Sequence, residues 1–403
     1  MYLKILFIIL LSISDWDVFS QNHQGEASRP GSTDMVQPII PAAEQPEAYL
    51  PLLRNKKAGL VVNHTARVGE IHLLDFLLSE NIEVVRIFSP EHGFRGDASA
   101  GEKISDGRDP GTGTQVISLY GKLYKPAAEH LQDLDVLVFD IQDVGCRFYT
   151  YLSTLYYCIE ACADNDIPLV VLDRPNPNGD YVDGPILKPE FASFVGIVPV
   201  PVVHGCTLGE MALMINGENW HKAPSKADIT VIQVQNYSHT DKYELPVPPS
   251  PNLPNYRSVR LYPSLCFFEA TSSSIGRGTE FPFQVIGGTI PSLGDFSFTP
   301  VNMPGVAVNP VNMNKVCYGV DLRSVNPVPP FTLKYFLEFY NKYPSPGQFL
   351  TNERWFNLLA GTDALIRDIR SGKCEEEIVD SWRDGLEAYK SIRRNYLLYK
   401  DFE

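Results

Sequence analysis

Chemistry-bearing side chains in this 403-residue chain cluster directly after apolar runs. The run Ile82–Phe88 leads into Ser89-Pro90-Glu91-His92-Gly93-Phe94-Arg95-Gly96, and Leu134–Ile141 leads through Asp140 into Gln142-Asp143-Val144-Gly145-Cys146-Arg147-Phe148-Tyr149. Ile167–Leu172 ends in Asp173-Arg174-Pro175-Asn176-Pro177-Asn178, and Ala58–Val62 ends in Asn63 and His64. A further Gly-bounded turn, Gly276-Arg277-Gly278-Thr279-Glu280, lies far downstream. Carboxyl groups on converging turns suit general acid and base work. Glu91, Asp140, Asp143, Asp173 and Glu280 with Asn63, Asn176, Asn178 and many tyrosines are the inventory glycosidic cleavage calls for. Serine hydrolysis wants a Gly-x-Ser-x-Gly elbow, which is absent. His64, His92 and His204 sit at three separate strand ends without ligand spacing, so hydrogen bonding explains them better than a metal. We therefore expect neither metal nor cofactor.

These groups need a scaffold that brings strand ends together. The β-branched runs read as buried strands, and Pro90 disfavours helix at Ser89. Helices are expected near 71–79 and 149–164, and Thr207 with Glu210 forms a capping box for another. A fifth strand is expected over Val198–Val203, leading to His204. Strands alternating with helices give an α/β fold with a Rossmann-like parallel sheet, in which ligands bind beyond the carboxyl ends of the strands. The segment 95–114 is polar and Gly-rich, a long loop of the kind that is either a functional lid or disordered. It lacks the strand-Gly-x-Gly-x-x-Gly-helix arrangement of a nucleotide site. We place this Rossmann-like domain at 49–218. Beyond it, the proline-rich connector 246–254, strand-like pieces near Val306 and Val320 and helices near 333–340, 363–370 and 375–399 suggest a smaller mixed α/β domain, 219–403, closing the crevice.

Net charge is −14, which argues against nucleic acid or an anionic membrane as principal partner. Lys4 followed by Ile5–Leu11 has the form of a signal peptide, 1–20, too short to span a bilayer. Polar, Pro-containing residues 21–48 read as a flexible leader. We expect a protein exported to the periplasm or beyond, with no membrane contact after cleavage. Seven scattered cysteines include no Cys-x-x-Cys pair, and most read as small buried apolar residues.

Taken together and in order, Ser89-Pro90-Glu91-His92-Gly93, Asp140-Ile141-Gln142-Asp143-Val144-Gly145-x-Arg147-x-Tyr149, Asp173-Arg174-Pro175-Asn176-Pro177 and Gly276-Arg277-Gly278-Thr279 resemble the exported NamZ-like exo-β-N-acetylmuramidases. The resemblance runs from Leu50 to the C-terminus. It implies a Rossmann-like domain, a smaller C-terminal domain and a site in the cleft between them. It also implies release of N-acetylmuramic acid from the non-reducing end of peptidoglycan fragments. Against that substrate Glu91 is the expected general acid, with Asp143 or Asp140 as base or stabiliser, unless the substrate's own acetamido oxygen attacks. The lactyl carboxylate of muramic acid calls for a cation, and Arg147, Arg257 and Arg277 compete for that role. His92 and His204 are candidate donors to sugar hydroxyls, with Asn63, Tyr149, Asn176 and Glu280 as further contacts. An exported amino-sugar or muropeptide binding protein without catalysis is the alternative, because two lobes around a cleft also describe solute receptors.

Overall fold

The computed structural model describes residues 37–91, 93–94 and 106–403. Six strands, Lys57–Val62, Glu83–Ser89, Gln115–Ser118, Val136–Asp140, Leu169–Leu172 and Ile229–Ile232, pair in parallel, and Gly107–Arg108 adds an antiparallel edge. Their spatial order is 107–108, 115–118, 83–89, 57–62, 136–140, 169–172, 229–232. Apart from the edge ribbon this is the 3-2-1-4-5-6 order of doubly wound folds. The expected Rossmann-like sheet is present.

Alternation along the strands explains why helices cover both faces. Leu60, Val62, Ile87, Val136 and Val138 pack on one side with Leu73, Leu74 and Leu77 of the helix Leu73–Ser79. Val61, Phe88, Leu137, Phe139 and Val171 pack on the other with Leu152, Leu155 and Ile159 of the helix Tyr151–Asn165. Side chains two apart share a face, so nearly continuous apolar strands fill both layers.

Three differences from the sequence expectations concern this sheet. The valines of the segment Val198–Val203 are buried, but the segment makes only isolated bridges, from Val203 to Cys146 and Asp183. Pro199 and Pro201 lack the N–H groups a ladder strand must donate. Ile229–Ile232 pairs with Leu169–Leu172 instead, carrying the sheet past residue 218. The leader expected to reach residue 48 gives way to packed chain earlier. Ile40 bridges to Gln235, Ala42 and Ala43 are fully buried, and the helix Pro46–Leu53 starts on proline, whose missing N–H costs nothing in a first turn. Residues 21–36 and the signal-like segment 1–20 lie outside the described residues, as does most of the loop 95–114.

The C-terminal half carries a three-stranded antiparallel sheet, Val285–Gly288, Cys317–Asp321 and Phe296–Phe298, with 317–321 central. The strand expected near Val306 is irregular chain. The single helix expected over 375–399 is two, Glu375–Asp380 and Arg383–Arg393. Trp382 at the break is buried beside Phe331 and donates its indole N–H to Asp183, so tertiary contacts override the helical stripe. Phe267, Phe268, Phe336, Phe349 and Phe356 join the same apolar core as the helix Tyr151–Asn165, and residues 38–403 form one compact unit.

Candidate active site

A cavity of about 600 Å³ opens where the strand ends of the first sheet meet the C-terminal half. Glu91, Thr150, Tyr149 and Tyr120 wall it from one side of the sequence, and Tyr262, Glu269, Arg277, Phe283, Trp355 and the loop 306–311 from the other. Glu91 reaches it because the strand Glu83–Ser89 stops at Pro90 and the chain turns at Gly93, φ +80°. Its carboxylate accepts a hydrogen bond from the Thr150 hydroxyl at 2.7 Å, and the Tyr120 phenol is its neighbour on the cavity wall. Burial and the neighbouring Glu91 carboxylate push the Tyr120 phenol up, which keeps it a donor.

Arg277 stands on a turn that needs glycine on both sides. Gly276 and Gly278 hold φ +80° and +79°, and a Cβ on Gly278 would meet the Val301 carbonyl at 2.4 Å. The guanidinium bonds Glu269 at 2.6 Å and lies 5.0 Å from the Phe283 ring centre. Among the described residues lining the cavity it is the only cation. Tyr149 donates to the Pro249 carbonyl at 2.9 Å and meets Tyr151 and Tyr262 edge-on.

Behind this wall sit Asn63 and Asp143. The Asn63 amide donates to the Tyr151 hydroxyl at 2.9 Å and accepts from the Thr65 N–H and hydroxyl, so it positions the tyrosine pair. Asp143 accepts the Gly145 N–H at 2.7 Å, and burial pushes its carboxyl up to about 7. His204 Nε2 is 3.9 Å from Asp143 Oδ2. Its Nδ1 accepts the Cys206 N–H, and burial, reinforced by Arg393 and Arg147, pushes the ring down to about 3. A neutral imidazole at that distance makes no ion pair.

The remaining expected site residues are engaged elsewhere. Asp140 holds Arg174 through both carboxylate oxygens, wholly buried. The Arg147 guanidinium is also fully buried and donates to the carbonyls of Pro185, Val200 and Leu359. Asn176 donates to the Cys206 carbonyl and accepts the Asn178 N–H. Arg257 lies in the first turn of the helix Tyr256–Leu265 and donates to the carbonyls of Leu322 and Val325. Glu280 is exposed and does not line the cavity. His92 lies outside the described residues. Glu91, Tyr149 and Arg277 are thus brought together; Asp140, Arg147, Asn176 and Arg257 serve the scaffold.

Sequence reading missed Tyr120, Thr150 and Glu269. Thr150 extends the Asp140–Tyr149 motif by one residue. Tyr120 follows the unrecognised strand Gln115–Ser118 by two residues, a strand-end position like that of Glu91. Glu269 lies on the short 3₁₀ turn Cys266–Ala270 among aromatic residues and carries no local signal.

Comparison with known proteins identifies the family. The family model for the N-terminal part of exo-β-N-acetylmuramidase NamZ matches residues 58–257, and that for its C-terminal part matches 260–399. The chain is 37% identical over 372 residues to the peptidoglycan β-N-acetylmuramidase NamZ of Bacillus subtilis (strain 168), covering 87% of this chain and 89% of that protein. A crystal structure of a DUF1343 family protein of Bacteroides fragilis NCTC 9343 superposes with TM-score 0.84 at 45% identity, over 91% of this chain and 100% of the other. A second DUF1343 protein of the same strain superposes with TM-score 0.79 at 28% identity, over 90% and 99%. Matched over nearly its whole described length, the chain belongs to the NamZ exo-β-N-acetylmuramidase family and is a glycoside hydrolase.

Proposed function

We propose that this exo-acting muramidase removes N-acetylmuramic acid from the non-reducing end of peptidoglycan fragments with Glu91 as proton donor and Arg277 as the reader of the lactyl carboxylate. The observation that carries the reading is that Glu91 and Arg277 wall the same cavity, with no second cation among its described lining residues. Glycoside cleavage needs a proton delivered to the leaving oxygen as the bond lengthens. Glu91 is oriented for this by the Thr150 hydroxyl, with the Tyr120 phenol beside it on the cavity wall. Arg277 uses one nitrogen on Glu269, leaving others for a carboxylate, and its planar fork suits that partner. The Glu269 carboxylate also disfavours a second anion anywhere but on the guanidinium.

Asp143 belongs to the supporting layer in this reading. Its carboxyl lies behind Tyr149 rather than on the cavity wall, and it shapes the field felt by that ring and by Tyr151. Export through the segment 1–20 would bring the enzyme to its polymer substrate.

The test compares disaccharides that begin with N-acetylmuramic acid or with N-acetylglucosamine. Wild-type protein releases free N-acetylmuramic acid from the first and little sugar from the second. Glu91→Gln stops release while still binding the disaccharide in calorimetry. Release of N-acetylglucosamine at comparable efficiency, or full turnover by Glu91→Gln, would contradict the assignment.

A further inference from the structure

Sugar rings present an apolar face of C–H groups, and aromatic side chains cover such faces at low entropic cost. The Tyr124 ring is exposed, at 36%, and it lies on the cavity wall. It belongs to a contiguous patch. The Tyr124 and Phe194 ring centres are 4.3 Å apart with planes 33° apart, and Tyr157 lies 6.3 Å from Tyr124 and 6.4 Å from Phe194, nearly parallel to both. Tyr120, 5.9 Å from Phe194 and 6.3 Å from Tyr124, continues this patch along the cavity wall that also carries Glu91, whose carboxylate neighbours its phenol.

We propose that Tyr124 and Phe194 form the platform for the leaving sugar, the N-acetylglucosamine on the far side of the scissile bond from the muramic acid. This rests on the muramidase reading above. A proton donor must reach the oxygen between the two rings, so groups that touch it lie within one ring of the scissile bond. The muramic ring is anchored by its carboxylate at Arg277, whose ring neighbour is Phe283 and whose ion partner is Glu269, with no ring contact to the Tyr124 patch. The patch flanks Glu91 through Tyr120 and opens to solvent at Tyr124, as the site of a departing chain end must. An exo-acting enzyme has to let the rest of the glycan extend outward from this position.

The experiment sets a substrate with a leaving sugar against one without. Tyr124→Ala, Phe194→Ala and Tyr124→Phe are assayed on the disaccharide N-acetylmuramyl-β-1,4-N-acetylglucosamine and on β-N-acetylmuramyl fluoride, whose fluoride leaves without occupying a sugar platform. Inhibition by free N-acetylmuramic acid is measured alongside. We expect kcat/KM on the disaccharide to fall about tenfold for each alanine variant, with most of the aromatic contribution kept in Tyr124→Phe. Turnover of the fluoride and inhibition by the monosaccharide stay within twofold of wild type. Equal losses on both substrates would overturn the proposal, because the rings would then serve the muramic site or the fold. An undiminished disaccharide reaction in both alanine variants would also overturn it. Wild-type protein inactive on both substrates would instead remove the muramidase reading beneath it, a different failure from either of these.

Discussion

At the scale of single residues, burial sets the charge states around the cavity. Asp143 is held up to about 7 because its carboxylate loses more hydration than the Gly145 and Val144 N–H groups return. A carboxyl whose folded value exceeds its unfolded one binds more protons in the native state. Stability is therefore greatest below the unfolded value and falls as pH rises from about 4 toward 7. The penalty at full ionisation is on the order of 4 kcal/mol. Asp143→Asn keeps an oxygen for the Gly145 N–H and removes the titration. Its melting temperature relative to wild type should thus rise between pH 5 and pH 8, and a pH-independent difference would contradict the assignment. Arg277→Ala belongs to the same scale. Removing the fork should raise KM for muramic-terminated disaccharides about tenfold or more while the corresponding N-acetylglucosamine substrate is unaffected. A uniform loss on both would place Arg277 in the scaffold.

At the scale of elements, Arg147 shows why a strand-end arginine is not automatically a ligand group. The motif Gly145-Cys146-Arg147 places it at a turn, yet the side chain passes inward to the carbonyls of Pro185, Val200 and Leu359. Burial pushes its guanidinium down to about 9, still charged at neutral pH, so it ties the segment 185–200 and the helix Glu353–Ala360 to the turn as a cation. Arg147→Met should leave three buried carbonyls without that donor and lower stability by roughly 3–5 kcal/mol, read by denaturant unfolding. A loss below about 1 kcal/mol would contradict this role. The same element-level logic separates what was legible in the sequence. Lys57–Val62, Glu83–Ser89 and Val136–Asp140 announce themselves because central parallel strands must be apolar on both faces. Gln115–Ser118 and Ile229–Ile232, four residues each and toward the sheet margins, carry too little pattern to stand out. Val198–Val203 has strand composition, and only its prolines mark it as something else. Among site residues, Glu91 and Arg277 were visible from Gly-bounded turns, whereas Glu269 comes into the cavity through packing between distant segments. Nothing local encodes that.

At the scale of the whole molecule, the halves are not independent lobes. The C-terminal segment returns to the first half, where Tyr389 donates to the His204 carbonyl, Arg393 to the Gly205 carbonyl and Tyr399 to Asp173 at the end of the strand Leu169–Leu172. Leu398 adds its N–H to Glu210. Deleting residues 394–403 removes the Leu398 and Tyr399 bonds and the Asp401 partner of Arg393, and should lower the unfolding midpoint of the entire protein in one transition. Two separated transitions would show that the halves unfold independently. This fixed framework holds Glu91 from one half and Arg277 from the other on the wall of one cavity, and the proton proposed for Glu91 is the central assignment. It is tested most directly by the leaving-group dependence of Glu91→Ala. The expected loss in kcat/KM is about 10²–10⁴ on the natural disaccharide and much smaller on the 2,4-dinitrophenyl glycoside of N-acetylmuramic acid, whose leaving group departs without a proton. Equal losses on both substrates would contradict it.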